Sequence, residues 1–269
     1  MTTGADPRED EAAARREHAR GRRIHNWNTA FDIMAGRSPR PLAAFPALAL
    51  EEMRRRIACS SSGLMIVSAH FSTYFLLLDL ASLLGLPFLV LTSEEGVAVW
   101  RENRASIPSA VRFVSALTPG DLRDCRQRRC VLFCMADFAT SGLANAYVPL
   151  LGRLHYLTIA WAKIATRLGC DVYPVIAYHR DDRLDVMVDH VPSGEADAYG
   201  LAACVIRRLD DFMKIDPDAW ELAGLFTDSH PIAEDYDAEP ARRELLLLAQ
   251  SDVAIRSALR SALARGGPV

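Results

Sequence analysis

Residues 64–92 read LMIVSAHFSTYFLLLDLASLLGLPFLVLT. The apolar run at 64–69 predicts a buried strand, residues 73–85 predict a helix that ends at Gly85, and residues 86–92 predict a second strand. A strand, a helix and a second strand in this order are typical of a parallel sheet with helices on its faces. This stretch therefore decides the fold class.

The same alternation continues towards the carboxyl end of the chain. The last two predicted strands are separated by Asp181 and Asp182, which favour the turn of an antiparallel hairpin. The sequence thus predicts an α/β fold with a mixed, largely parallel central sheet flanked by helices. The further predicted elements are helices at 93–105, 118–129 and 157–169, with Ser93 as a cap and Gly169 as a stop, strands at 111–116, 130–137, 170–180 and 183–191, and a short element at 147–151.

Both ends of the chain differ in composition from this central part. Residues 1–22 are polar and rich in Ala, Arg and Glu, and they predict a flexible charged arm, whereas residues 23–269 predict a single domain. Residues 24–58 look helical in two pieces, because Pro39 and Pro41 forbid a continuous helix. From about residue 197 the chain is predicted to be helical, with breaks at DPDAW and DSHP, so the domain carries helical amino- and carboxyl-terminal extensions.

Composition limits the classes of function. A chain of 269 residues that is 50% hydrophobic can bury a full core, and its formal charge of −3 gives no general attraction to nucleic acid. The charged start is unlike a signal peptide, and no apolar run reaches the roughly 18 to 20 residues that span a bilayer. We expect a cytoplasmic protein. The arginines of the arm allow a peripheral membrane contact, although a solvated helix face is the simpler explanation of them.

The six cysteines form no CxxC pair, and most of them lie in apolar or helical contexts that are typical of buried, reduced thiols. Three further histidines, His155, His179 and His190, are scattered without metal-ligand spacing. We therefore predict no metal site and no permanently bound cofactor.

His70 directly follows the first predicted strand, at the strand end where ligands of α/β proteins bind. A histidine there could take a proton from a hydroxyl or an amine, since an unperturbed imidazole titrates near pH 6.5. It could equally cap or plug the turn between strand and helix. Its position alone leaves both interpretations open.

Several short motifs resemble one enzyme family. VSAHFSTYF is similar to a strand-ending His-Phe-Gly-Asn-Trp-Glu motif, with His70 and Phe71 in agreement, Tyr74 as an aromatic substitute, and Phe75 where the family has its acidic residue. The chain thus resembles the late acyltransferases of lipid A biosynthesis, the lauroyl and myristoyl transferases of the lysophospholipid acyltransferase-like superfamily. Further matches, between residues 45 and 226, are Asp137 after the fourth strand, Val148, Pro149 and Gly152, then Gly169, Val172 and Pro174, and finally Pro217 and Trp220.

The resemblance implies a histidine-assisted acyl transfer from an acyl carrier protein or coenzyme A thioester to a small-molecule hydroxyl or amine. In the family an acidic residue orients the histidine, and Phe75 cannot do so. Two carboxylates could replace it. Asp79 lies one helical turn after Phe75, and Asp137 lies at the end of the fourth predicted strand, at the same edge of the sheet. We predict His70, Asp137 and Asp79 as the catalytic residues.

The predicted substrate-binding residues surround these positions. Tyr74 could offer a hydroxyl or an aromatic wall, and Ser72 and Thr73 could bind substrate or cap the helix. Arg101 and Arg104 could bind the phosphates of a pantetheine donor or lie on an exposed helix face. The departures from the family motif favour an acyltransferase of natural product biosynthesis that transfers an acyl or an aminoacyl group. The alternative is a non-catalytic protein of this fold that binds a lipid, a carrier protein or a partner enzyme.

Overall fold

The structure is a computed structural model. The predicted arm at 1–22 and the break at Pro39 and Pro41 lie outside the residues that it describes. The described residues are 47–59, 63–71, 73–102, 107–127, 130–137, 144–151, 153–180, 183–192, 197–220, 222 and 230–231.

The main sheet has six strands in the order β3-β2-β4-β1-β7-β8. Every neighbouring pair is parallel except β7 and β8, which pair antiparallel. The predicted mixed, largely parallel sheet is therefore confirmed, including the closing hairpin. The strands of this sheet are β1 (Leu64–Ser68), β2 (Phe88–Leu91), β3 (Val111–Val114), β4 (Val131–Met135), β7 (Asp171–Arg180) and β8 (Arg183–Val188).

Helices cover both faces of the main sheet. One core layer lies under α1, α2 and the tryptophan of α3, and the other lies under α4, α5 and α6. The helices are α1 (Ala47–Cys59), α2 (Leu80–Leu84), α3 (Glu94–Glu102), α4 (Pro119–Arg126), α5 (Ala160–Leu168) and α6 (Ala198–Met213), with 3-10 turns at Tyr74–Asp79 and Pro217–Ala219.

The two central strands explain why this part of the sequence is so apolar. All five residues of β1 and all five of β4 are buried. In β1, Met65 and Val67 pack into one core layer, whereas Leu64 and Ile66 pack into the other. A parallel strand covered on both faces has no solvent-facing side, so its sequence is a continuous apolar run.

Glycine residues and side-chain caps mark the ends of several predicted helices. Gly85 and Gly169 end α2 and α5 in the left-handed conformation, each with φ of 67°, which glycine adopts without steric cost. Ser93 Oγ accepts a backbone N–H from the first turn of α3 at 3.1 Å. Thr118 and Asp121 form a reciprocal capping box at the start of α4.

The single α-helix predicted over 73–85 is divided into a 3-10 turn and a short α-helix. Residues Tyr74–Asp79 form a 3-10 turn, and an α-helix follows only at Leu80–Leu84. The first five side chains of the 3-10 turn are all buried, and Thr73 makes no side-chain capping bond. These five side chains therefore leave no solvent-facing side of the kind that an amphipathic surface helix presents.

A second sheet of three strands is the main departure from the predicted elements. The short element predicted at 147–151 belongs to a longer strand, and residues 157–158, predicted as the start of a helix, end the next strand. Thr158 Oγ1 accepts the N–H of Ala160 at 3.3 Å, so α5 begins two residues after the strand ends. The strands are antiparallel in the order β5-β6-β9, with β5 at Asn145–Leu150, β6 at Arg153–Thr158 and β9 at His230–Pro231.

Of the predicted carboxyl-terminal helices, α6 is confirmed. It packs on β5, β7 and α5. His230 and Pro231, predicted as a break, pair with β6 instead. Residues 223–229 and 232–269 lie outside the described part of the chain, so their predicted helices stay predictions.

Gly63 precedes β1 at a tightly packed position. A Cβ there would lie 2.9 Å from both the Cys125 carbonyl oxygen and the Cys170 Sγ. We therefore expect Gly63→Ala to lower the free energy of unfolding by about 1–3 kcal/mol, the usual cost of overpacking. Urea denaturation measures this, with Gly120→Ala as the control, because a Cβ on Gly120 meets only Thr118 Oγ1 at 3.6 Å. Equal stability of the two variants would contradict the prediction.

Candidate active site

The register of β1 and β4 brings His70 and Asp137 together. Ser68 is paired with Met135 at the carboxyl ends of these parallel strands. The pairing continues one residue further, because the N–H of Ala136 donates to the Ser68 carbonyl at 2.8 Å. His70 and Asp137 each lie two residues beyond the last pair, so they face each other at the carboxyl edge of the sheet.

Two hydrogen bonds join His70 to Asp137. The imidazole Nδ1 lies 2.8 Å from Asp137 Oδ1, and the backbone N–H of His70 donates to Asp137 Oδ2 at 2.7 Å. Asp137 is only 1% exposed, whereas the His70 side chain retains 23% of its exposure. The carboxylate is thus enclosed, and the imidazole connects it to the surface.

Trp220 supplies a third donor to the same carboxylate. Its indole Nε1–H donates to Asp137 Oδ2 at 2.7 Å, and its backbone forms an antiparallel bridge with Phe71. Trp220 directly follows the 3-10 turn that begins at Pro217, whose ring favours a helical start. The segment that resembles the family's terminal Pro-x-x-Trp element therefore returns to the sheet edge and fixes the acid.

His155 on β6 supports Trp220 from the other side. The two rings meet edge to face, with centroids 5.1 Å apart and an interplanar angle of 89°. His155 Nε2 lies 3.2 Å from the Leu150 carbonyl oxygen, which can only accept, so Nε2 is the donor. Sequence reasoning gave His155 no role and Trp220 only a motif match. The Pro217 and Trp220 spacing was the one sequence feature that pointed to this region.

The bonding pattern assigns the proton on the His70 ring. An ionised carboxylate only accepts hydrogen bonds, so Nδ1 must carry the proton that bonds to Asp137 Oδ1. In the neutral imidazole Nε2 then holds the lone pair. This is the arrangement in which a buried aspartate orients a histidine to act as a base.

Phe75, at the position of the family's acidic residue, is buried in the core beneath this edge. Its side chain is fully buried, and its ring lies 5.5 Å from that of Tyr74. Tyr74 in turn meets the His70 ring edge to face at 4.9 Å and the Trp100 ring at 5.3 Å. The interpretation of Tyr74 as an aromatic wall beside His70 agrees with these contacts.

The remaining predicted site residues are Ser72, Thr73, Asp79, Arg101 and Arg104. Thr73 is buried, and its hydroxyl has no hydrogen-bond partner among the described residues; the helix-capping role suggested for it is wrong. Asp79 is half-buried at the end of the 3-10 turn, and Arg101 is exposed near the end of α3. Their catalytic and substrate-binding roles stay predictions. Ser72 and Arg104 lie outside the described residues.

Within the described ranges, no three histidine, cysteine, aspartate or glutamate residues are grouped so that they could hold a metal ion. None of the helices described above is long and apolar enough to cross a membrane.

No protein-family model matches the sequence, and no curated protein matches it at a significant level. The resemblance to the late acyltransferases therefore rests on the motifs quoted above.

Trp220→Phe tests the third donor to Asp137. The change keeps an aromatic ring but removes the N–H, and a hydrogen bond to a charged group contributes about 1.5–3 kcal/mol. Because the bond orients the acid, we expect the kcat/KM of a reaction that uses His70 as a base to fall by about 10- to 100-fold.

Trp161→Phe is the matched control. Trp161 is equally buried, and its indole donates to the Thr158 carbonyl at 3.1 Å, so the control loses a similar bond without touching Asp137. An equal loss of kcat/KM in both variants would show that Trp220 acts only through stability.

Proposed function

We propose that this protein is a divergent acyltransferase in which His70 is the general base and Asp137 is the acid that orients it. The observation that carries the proposal is the contact of 2.8 Å between His70 Nδ1 and the buried Asp137 carboxylate. The family's acidic position is occupied by Phe75, and Asp137 offers the same function from the neighbouring strand. The motif resemblance supplies the reaction class.

The proposed reaction is the transfer of an acyl group from a thioester to a hydroxyl or an amine. His70 Nε2 takes the proton of the acceptor while the acceptor's oxygen or nitrogen bonds to the thioester carbonyl carbon. The tetrahedral intermediate then collapses, the carbon–sulfur bond breaks, and the imidazolium returns its proton to the departing thiolate. Asp137 holds the ring in position and stabilises the imidazolium that forms between these two steps.

Acyl carrier protein or coenzyme A is the proposed donor, and a small molecule of a natural product pathway is the proposed acceptor. Both donors carry the acyl group on a phosphopantetheine thiol, so the site needs to recognise only one kind of thioester arm. The proposed location is the cytoplasm, where both donors occur, with a peripheral membrane contact if the acyl chain is long.

A donor and acceptor screen tests the proposal directly. The purified full chain is mixed with acetyl, octanoyl, lauroyl and palmitoyl thioesters of coenzyme A and of an acyl carrier protein. Small amines and alcohols serve as acceptors. A chromogenic thiol reagent records thiol release, and mass spectrometry identifies the acylated acceptor. We expect thiol release that depends on both protein and acceptor.

Failure of every thioester would overturn the acyltransferase proposal. The non-catalytic alternative would then be supported if the intact protein retained one of these donors through gel filtration without converting it.

A further inference from the structure

A second cluster of reactive side chains lies at the opposite edge of the sheet from His70. Cys125, in the last turn of α4, and Cys130, immediately before β4, have their Sγ atoms 3.2 Å apart. Both thiols are free and buried in the same core layer. The connecting residues Arg128 and Arg129 lie outside the described part of the chain.

We propose that Cys125 and Cys130 are a dithiol site that a peroxide converts to an intramolecular disulfide. The sulfur atoms, now 3.2 Å apart, need to approach by only about 1 Å to reach the length of an S–S bond. The site is independent of the proposed acyl transfer, and none of the motifs that resemble the acyltransferases includes it.

The two thiols are not equivalent, and this sets the order of the reaction. The contact with the Cys125 thiol lowers the pKa of Cys130 and outweighs burial and the charges of Asp124 and Asp121, which act in the opposite direction. The same contact, together with burial, raises the pKa of Cys125. Cys130 is also the more exposed of the two, at 5% against 1%. Cys130 is therefore the thiolate that meets the oxidant, and Cys125 is the thiol that resolves it.

The reaction balances with hydrogen peroxide as the oxidant. The Cys130 thiolate attacks one peroxide oxygen, the O–O bond breaks, and Cys130 sulfenic acid and hydroxide form. The Cys125 sulfur then attacks the sulfenic sulfur, the S–O bond breaks, and the Cys125 proton leaves with the hydroxyl group as water. Two thiols and one peroxide thus give one disulfide and two waters.

Other thiols compete for the same oxidant, so the measurement must identify the pair. Cys59 and Cys204 are exposed and will react with peroxide on their own. Cys170 also packs near Cys125, since its Sγ and the Cys125 carbonyl oxygen both face Gly63. Cys125 and Cys130 are the expected pair because their sulfurs are in contact.

Peptide mapping of the wild-type protein tests the site. After treatment with hydrogen peroxide, remaining thiols are alkylated and the chain is digested with trypsin without reduction. Arginines at 126, 128 and 129 separate the two cysteines, so only a disulfide can join peptide 124–126 to peptide 130–153. We expect this joined pair, lighter by two hydrogens than the separate peptides, to account for most of Cys125.

Cys134 shares the second peptide, so variants distinguish the two sulfurs. The joined pair should persist in Cys134→Ala and disappear in Cys130→Ser. A joined pair that needs Cys134, a bridge from Cys125 to Cys170, or sulfinic acid at Cys130 without a bridge would each overturn the proposal. Fragmentation of the wild-type pair gives the same answer if a variant does not fold.

Discussion

Asp137→Asn is expected to lower the kcat/KM of the proposed acyl transfer by about 10⁴-fold, the loss seen when the orienting acid of a catalytic histidine is neutralised. The physical reason lies in the donors around the carboxylate. Oδ2 accepts N–H groups from the His70 backbone and from Trp220, so the asparagine oxygen is held at this position. The amide NH₂ must then face His70 Nδ1, which can meet it only as an acceptor. The ring is forced into the tautomer that carries its proton on Nε2, and the base is lost.

The control for this variant is Asp171→Asn. Asp171 Oδ1 lies 3.4 Å from His190 Nε2 at the start of β7, so it makes another histidine contact at the opposite edge of the sheet. We expect no detectable change in kcat/KM for this control, measured with the donor and acceptor that the screen identifies. If Asp137→Asn kept activity within tenfold of the wild type, Asp137 would not be the orienting acid.

His70→Asn is expected to lower kcat/KM by about 10²- to 10⁴-fold, the usual contribution of a general base. Asparagine is the informative replacement because its amide can still donate to Asp137 Oδ1 from near the place of Nδ1, while it has no basic nitrogen. The Asp137 carboxylate would keep its donors, so the loss of activity should come with little loss of stability. Thermal unfolding alongside the kinetics separates the two effects.

His190→Asn is the matched control for the histidine itself. It removes a half-buried imidazole that contacts Asp171 and Arg56, away from the carboxyl edge of the sheet. If His190→Asn and His70→Asn both kept the kcat/KM of the wild type, the assignment of His70 as the base would be contradicted.

The part of the site that sequence reasoning anticipated is the part built from neighbouring parallel strands. β1 and β4 are continuous apolar runs, and each is followed by a polar residue at its carboxyl end. Carboxyl ends of parallel strands lie at one edge, so the sequence alone predicts Asp137 as a candidate partner for His70. The sequence does not distinguish Asp137 from Asp79 as the carboxylate that contacts His70. That distinction depends on the strand register, because His70 and Asp137 are 67 residues apart in the chain.

The parts that were missed depend on contacts between distant segments. The β5–β6 hairpin turns at Leu151, a non-glycine residue with φ of 49°, so the glycine signal of the turn comes only from the following residue, Gly152. Trp220 reaches Asp137 across 83 residues, and only the folded chain shows that bond. Every side chain from Tyr74 to Leu78 is buried in the 3-10 turn, so the apolar run there is equally compatible with a buried α-helix. Local propensity does not encode any of these outcomes.

The tautomer of His70 can be measured without knowing the substrate. Nitrogen-15 labelled histidine in the full chain gives ring correlation spectra that distinguish a protonated from an unprotonated nitrogen, and His70→Asn identifies the His70 signals among the seven histidines. At alkaline pH we expect the proton on Nδ1, an unprotonated Nε2, and a switch to the other tautomer in Asp137→Asn. A wild-type His70 with its proton on Nε2 would contradict the orientation of the imidazole by Asp137.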